Sequence, residues 1–135
     1  MNTECSVGGI MSPFQMVGGK EKVDSAMHVM REHGLNAIMV EPNDEGEWGI
    51  MTKRDVLRKI IVPNRRPGGM TVDEIANRYL ITCTRDTPLL QVARQMMNNG
   101  IRRIVVMENG QPLGIVTEAD LFRLVEQSGW GPEAG

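Results

Sequence analysis

The sequence predicts an α/β chain (mixed α+β) of two tandem β-α-β-β-α repeats, packed sheet to sheet about a pseudo-two-fold axis. Three observations predict it: an internal self-similarity, an apolar stripe of helical spacing in each copy, and a hairpin signal in each copy. Gly49-Ile50-Met51-Thr52 reads against Gly114-Ile115-Val116-Thr117, and Asp55 and Arg58 against Asp120 and Arg123, all 65 positions apart. Upstream, His33–Val40 reads against Asn99–Val106 at a spacing of 66. One residue of slack between two apolar runs is what loops of unequal length produce, and self-similarity at a fixed period marks a repeat architecture.

Each element follows from local pattern. Val23, Ala26, Met27 and Met30 fall at i, i+3, i+4, i+7, as do Leu89, Val92, Ala93 and Met96, so each set marks one buried helix face. Thr87-Pro88 predicts an N-cap and first-turn proline for the second of these helices. Gly34 and Gly100 predict their ends, because glycine accepts the left-handed conformation there. Two β-rich runs follow each helix: Ala37–Glu41 with Glu47–Met51, and Arg103–Met107 with Pro112–Val116. The loop Pro42–Gly46 joins the first pair, and Glu108-Asn109-Gly110, with its Asn-Gly hairpin signal, joins the second. Further helices are predicted near Lys53–Ile61 and Glu118–Glu126, and short extended pieces near Gln15–Val17 and Leu80–Cys83. The boundaries read as repeat 1 at 10–61, a Pro/Gly-rich linker at 62–70, repeat 2 at 71–127 and a loose tail at 128–135. Thr71-Val72-Asp73-Glu74 has capping-box spacing and opens repeat 2 with a short helix.

Composition narrows the function classes. The 135 residues are 41% hydrophobic and 24% charged, a globular balance, with 4% aromatics and 11 Met, so aliphatic and Met side chains build the core. A net charge of -2 gives no push toward nucleic acid or an anionic membrane. No apolar run reaches the roughly 18 residues needed to span a bilayer. The start, Met1 to Ile10, carries Glu4 and no basic residue before an apolar stretch, unlike a secretory signal. Two cysteines, Cys5 and Cys83, suit a reducing compartment, and the expected localisation is cytoplasmic. Val17-Gly18-Gly19-Lys20-Glu21 echoes a phosphate loop, but Phe14 and Glu21 stand where a glycine and a Ser/Thr are needed. His28 and His33 lack companions at metal spacing, and Cys83 reads as a buried structural thiol. No nucleophile–base arrangement offers itself, so neither an enzyme nor a metal site is expected.

The segment carrying chemistry is Gly-Ile-x-Thr-x-x-Asp, present twice. It places Thr52 and Thr117 at a helix N-cap and Asp55 and Asp120 at N3. One reading is a capping pair, in which Thr accepts a backbone N–H and Asp reaches back. The other uses the same geometry for a ligand: helix N–H groups and the Thr hydroxyl meet phosphate, and the carboxylate accepts from two ribose hydroxyls. On that reading Gly49 and Gly114 let a ligand approach the backbone.

A β-α-β-β-α unit in tandem, each copy carrying this segment followed by two hydrophobic residues and Arg, resembles the cystathionine-β-synthase (CBS) domain pair, or Bateman module, over about Ile10 to Gln127. The resemblance implies a stand-alone regulatory module that needs no cofactor. Such a module takes an adenine nucleotide or another adenosine-containing ligand (AMP, ADP, ATP, S-adenosylmethionine, NAD(H)) in clefts between repeats. It also implies a homodimer and, with no second domain in the chain, output to a separate effector protein. Carried over by position, Asp55 and Asp120 hold ribose, and Thr52 and Thr117 contact ribose or phosphate. Arg102 and Arg103 meet phosphates, and Ile81, Thr82 and Thr84 line the adenine end. Repeat 2 is the first choice, because Arg102-Arg103 and Thr84 stand where repeat 1 has Asn36-Ala37 and Gly18. Lys53, Arg54, Arg58, Lys59, Arg65 and Arg66 against Asp55 form a local basic cluster able to attract polyphosphate or RNA. Two other readings stay open: a ligand-free dimerisation scaffold, and RNA or DNA binding through Lys53–Arg66.

Overall fold

The computed structural model describes residues 6–129. Cys5 and the part of the expected tail beyond Gly129 lie outside the described residues. Two three-stranded sheets organise the described residues. The first has the order β1 (Met16–Val17), β2 (Ala37–Val40), β3 (Gly49–Thr52); the second has β4 (Thr82–Cys83), β5 (Arg103–Glu108), β6 (Gln111–Thr117). In each, the first strand runs parallel to the middle one and the third antiparallel to it. The parallel connections are made by α1 (Val23–Glu32) and α3 (Leu89–Asn99), as a parallel pair requires a crossover. Their predicted stripes are the buried ones: Val23, Ala26 and Met30 on α1, and Leu89, Val92 and Met96 on α3. Gly34 and Gly100 take φ of 63° and 61°, and Asn109-Gly110 takes 52° and 76°, the double positive of a two-residue hairpin turn.

Residues 14–80 form one compact unit, and residues 6–13 together with 81–129 form the other, each around its own apolar cluster. Chain order alone does not give this division, and the hydrogen bonds explain it. Val7 N–H donates to the Thr87 carbonyl at 3.1 Å and Gly8 N–H to that of Arg85 at 3.0 Å, while Ser12 and Ile115 exchange two bonds of 2.9 Å. In the unit 14–80, Val72 N–H donates to Glu21 and Asp73 N–H to Gly19, both at 2.8 Å. Asn77 and Ile50 exchange bonds of 2.9 and 3.0 Å. Each of these residues stands 65 or 66 positions from its counterpart, so the repeat begins earlier than Ile10. Ser6-Val7-Gly8-Gly9-Ile10 is identical to Thr71-Val72-Asp73-Glu74-Ile75 at its second and fifth positions, with Ser for Thr at the first. Both leaders make a single 3-10 turn, Val7–Gly9 and Val72–Glu74, the latter with Thr71 N–H donating to Glu74 Oε2 at 2.7 Å.

Three local expectations are corrected. The helix expected over Lys53–Ile61 is a four-residue α2 (Lys53–Val56) that widens into a π-turn at Leu57–Ile61, whereas α4 (Glu118–Ser128) runs unbroken. Pro63 has no N–H to continue the ladder, and Val62 and Arg65 donate instead to Leu57 and Ile60, five residues back. The strand expected at Glu47 starts at Gly49, because the Glu47 carbonyl accepts from Arg78 (2.7 Å) and Asn43 (3.1 Å) outside any strand ladder. Pro88, not Thr87, occupies the N-cap of α3, and the Thr87 hydroxyl accepts from the Thr84 N–H at 3.0 Å.

Candidate functional site

The Gly-Ile-x-Thr-x-x-Asp segment spans the end of a strand and the first turn of a helix in both units. In the unit 14–80, Thr52 N–H donates to Asp55 Oδ2 at 2.8 Å, Asp55 N–H donates to Thr52 Oγ1 at 3.0 Å, and the Thr52 hydroxyl also reaches Asp55 Oδ2 at 3.0 Å. In the other unit Thr117 N–H donates to Asp120 Oδ2 at 2.8 Å and Asp120 N–H to Thr117 Oγ1 at 3.1 Å. Both are complete capping boxes, so the capping role is real in each. The N–H of the first helical residue is also engaged: Lys53 donates to Asn36 at 3.0 Å and Glu118 to Arg102 at 2.9 Å. Two of the first-turn donors expected to face a phosphate therefore bond within the protein.

The two boxes differ in surroundings. Asp120 is 8% exposed, the one charged residue buried among the described residues, while Asp55 is half-buried. The Arg123 guanidinium lies 3.4 Å from Asp120 Oδ1. Arg103 pairs in register with Thr117, and exposed Arg102 sits 3.9 Å from Glu118. In the unit 14–80 the residues at these positions are Asn36 and Ala37, and the nearby charges are the exposed Lys53 and Arg54 on α2 itself.

Sheet register decides which expected residues meet. Thr82 pairs with Val105 on the parallel edge, so Ile81 stands beside the start of β5, at the same end of the sheet as Arg103, Thr117 and Asp120. Thr84 lies beyond β4, about 10 Å further along at ~3.3 Å per residue. Its N–H goes to Thr87 Oγ1 and its hydroxyl lies 3.2 Å from the same atom. Thr82 and Thr84 are exposed and Ile81 half-buried.

The glycines are a correction. A Cβ on Gly114 would stand 2.9 Å from the Ser12 carbonyl and 3.0 Å from Met11 Cγ; one on Gly49 would stand 3.0 Å from Arg78 Cδ. Both glycines accommodate the crossing leader segment, not a ligand. Sequence reasoning missed Arg78, whose guanidinium donates to the Glu41 carbonyl (2.8 Å), the Glu47 carbonyl (2.7 Å) and Asp73. Its counterpart is Pro13, so the repeat comparison gives no warning of it.

Among the described residues, no group of three His, Cys, Asp or Glu is placed to hold a metal, and no helix is long and apolar enough to cross a membrane. His28 pairs with Glu32 at 2.9 Å on the surface, and His33 Nδ1 lies 3.0 Å from the Val29 carbonyl. Lys59, from the basic cluster, donates to the Ile75 carbonyl at 3.0 Å.

The CBS domain model matches residues 7–62 and 72–127. The chain belongs to the CBS-domain family. The first match begins at the residue where the structural repeat begins, Val7. A relative, an uncharacterised protein of Methanopyrus kandleri, is 30% identical over 70% of this chain, which spans only 49% of that protein's length. An uncharacterised conserved protein from Pyrococcus horikoshii superposes over 100% of both chains with a TM-score of 0.83 and 31% identity. A CBS domain pair solved with 5′-methylthioadenosine and S-adenosyl-L-methionine matches at a TM-score of 0.76 and 27% identity, over 88% of this chain and 98% of that one. A hexameric CBS-CP12 protein from bloom-forming cyanobacteria matches at 0.81 and 27%, over 91% of this chain and 74% of that one.

Proposed function

We propose that this chain is a regulatory module that binds an adenosine-containing ligand, self-associates and signals to a separate effector protein. The observation that carries the reading is the Thr117–Asp120 box with Arg103 and Arg102 beside it at one end of a sheet. Asp120 Oδ1 retains acceptor capacity for a vicinal diol, since a carboxylate offers about four lone-pair sites and the box uses only Oδ2. Arg102 supplies an exposed cation for an anionic substituent, and Ile81 supplies apolar contact at the same end of the sheet. Thr52 and Asp55, with Lys53 and Arg54, form a second site of the same type. The related pair that holds 5′-methylthioadenosine and S-adenosyl-L-methionine supports the adenosine class.

Ligands that differ only in phosphate separate the roles. Arg102→Ala weakens AMP and ATP by about tenfold or more, the value of one charge-assisted bond, and leaves 5′-methylthioadenosine within about twofold. Equal losses for all three in equilibrium binding would remove Arg102 from phosphate recognition.

The completed capping boxes favour one competing reading, a scaffold that binds no ligand. Saturable, stoichiometric binding of any adenosine compound excludes it.

A further inference from the structure

The chain carries Asn-Gly twice, at Asn99-Gly100 and at Asn109-Gly110. An Asn amide before glycine is a reactive pair: the next backbone nitrogen can attack the side-chain carbonyl, and glycine has no side chain to block it. Reaction then depends on whether the backbone can turn that nitrogen toward Cγ, and the fold treats the two pairs differently. Asn99 ends α3, where its Nδ2 donates to the Gln95 carbonyl at 2.8 Å and Gly100 N–H donates to the Met97 carbonyl at 3.4 Å. Cyclisation there must break a helix end. Asn109 and Gly110 are both exposed at the tip of the β5–β6 hairpin, between the paired Glu108 and Gln111. Asn109 sits at φ 52°, a left-handed conformation that a residue with a Cβ gives up readily. Leaving it disturbs the turn alone. The β2–β3 loop has no equivalent, because Asn43 precedes Asp44 and its amide is held: Oδ1 accepts from Glu45 and Glu47 N–H, and Nδ2 donates to Glu47 Oε1 at 3.1 Å.

We infer that Asn109-Gly110 is a self-modifying site, where the chain deamidates and rearranges its own backbone with water as the only co-reactant. The Gly110 nitrogen loses its proton and bonds to Asn109 Cγ; the Cγ–Nδ2 bond breaks, and ammonia leaves behind a cyclic imide. Water then opens either imide carbonyl. Opening at Cγ gives an ordinary aspartate, and opening at the backbone carbonyl gives isoaspartate, whose peptide link runs through Cβ. Both products put a carboxylate beside Glu108 where a neutral amide stood. Their structural effects differ. Asp-Gly still suits a two-residue hairpin turn, whereas isoaspartate adds a carbon to the main chain and no longer fits the Glu108–Gln111 register that the turn sets. The same two strands carry Arg103 opposite Thr117 at their other end.

Incubation of the full chain in mildly alkaline buffer, followed by digestion in acid and peptide mass spectrometry, tests this. The mass gain of amide-to-acid exchange accumulates at Asn109 several-fold faster than at Asn99 or Asn43. It arrives as two products of equal mass that separate by chromatography. Asn109→Asp marks the elution of the aspartate product, and its denaturation midpoint stays near that of the fresh chain. Aged protein enriched in the other product unfolds earlier. Equal rates at Asn109 and Asn99 overturn the inference. So does an unchanged Asn109 over the time in which a synthetic peptide of residues 106–113 converts. A single product that elutes with the Asn109→Asp peptide overturns the backbone rearrangement.

Discussion

On the proposed reading Asp120 carries two duties at once. Its Oδ2 and backbone N–H close the capping box with Thr117, while Oδ1, facing Arg123, is the oxygen proposed to accept from a ligand diol. Asp120→Asn separates these duties, because an amide oxygen still accepts the Thr117 N–H but cannot accept from both hydroxyls of a ribose. Thermal unfolding of the variant stays within about 1 kcal/mol of wild type, the scale of one cap. Asp120→Ala loses the cap as well and unfolds earlier. Cys83 offers a second test. Burial raises its thiol above the ordinary value, opposed by a hydrogen bond from Thr87. The folded protein therefore keeps the thiol protonated, and iodoacetamide labels Cys83 at pH 8 several-fold slower than in urea, read by peptide mass spectrometry. The sign for stability follows: folding favours the protonated form, so stability falls as pH rises past the ordinary thiol value near 9.0. The buried thiol was legible in sequence because Cys83 aligns with Val17. Arg78 was not, since its bonds to Glu41 and Glu47 join residues over 30 positions away.

At the scale of elements, the helix stripes, the Asn109-Gly110 turn and the Thr-x-x-Asp caps were all readable, because each depends on neighbours within four residues. The widening at Leu57–Ile61 was not, although Pro63 gave its cause in plain view. The Ser6–Ile10 leader was also missed, although its counterpart at Thr71–Glu74 was read from its capping-box spacing. Ser6-Val7-x-x-Ile10 and Thr71-Val72-x-x-Ile75 share too few residues to stand out, and their bonds to β6 and β3 span 103 and 27 positions in the chain. Their consequence is testable at Gly114. A side chain there must displace the Ser12 backbone, which a flexible neighbour could avoid but a hydrogen-bonded carbonyl cannot. Gly114→Val destabilises the protein by about 1–3 kcal/mol, the scale of core overpacking. Gly49→Val faces the movable Arg78 side chain and costs less. Equal denaturation midpoints for Gly114→Val and wild type would remove the leader from the folded unit.

At the scale of the whole molecule, two units of the same strand topology differ in the features that bear on the proposed function. One has a buried acid with arginines beside it; the other has a half-buried acid under a basic helix. That asymmetry is why the proposal puts the first ligand at the Thr117–Asp120 end. Sequence comparison exposed the asymmetry because equivalent positions could be read side by side. It misplaced the role of Gly49 and Gly114 because a glycine records only that something comes close, not what. The central claim is that an adenosine-containing ligand binds at Asp120. Isothermal titration calorimetry of the wild-type chain and Asp120→Asn, with S-adenosylmethionine, 5′-methylthioadenosine, AMP and ATP in separate runs, tests it most directly. The account predicts saturable binding of at least one ligand to wild type and a loss of about tenfold or more in Asp120→Asn, with stability within about 1 kcal/mol of wild type. Equal affinity in the two proteins, or no binding of any ligand up to about 1 mM, would contradict it.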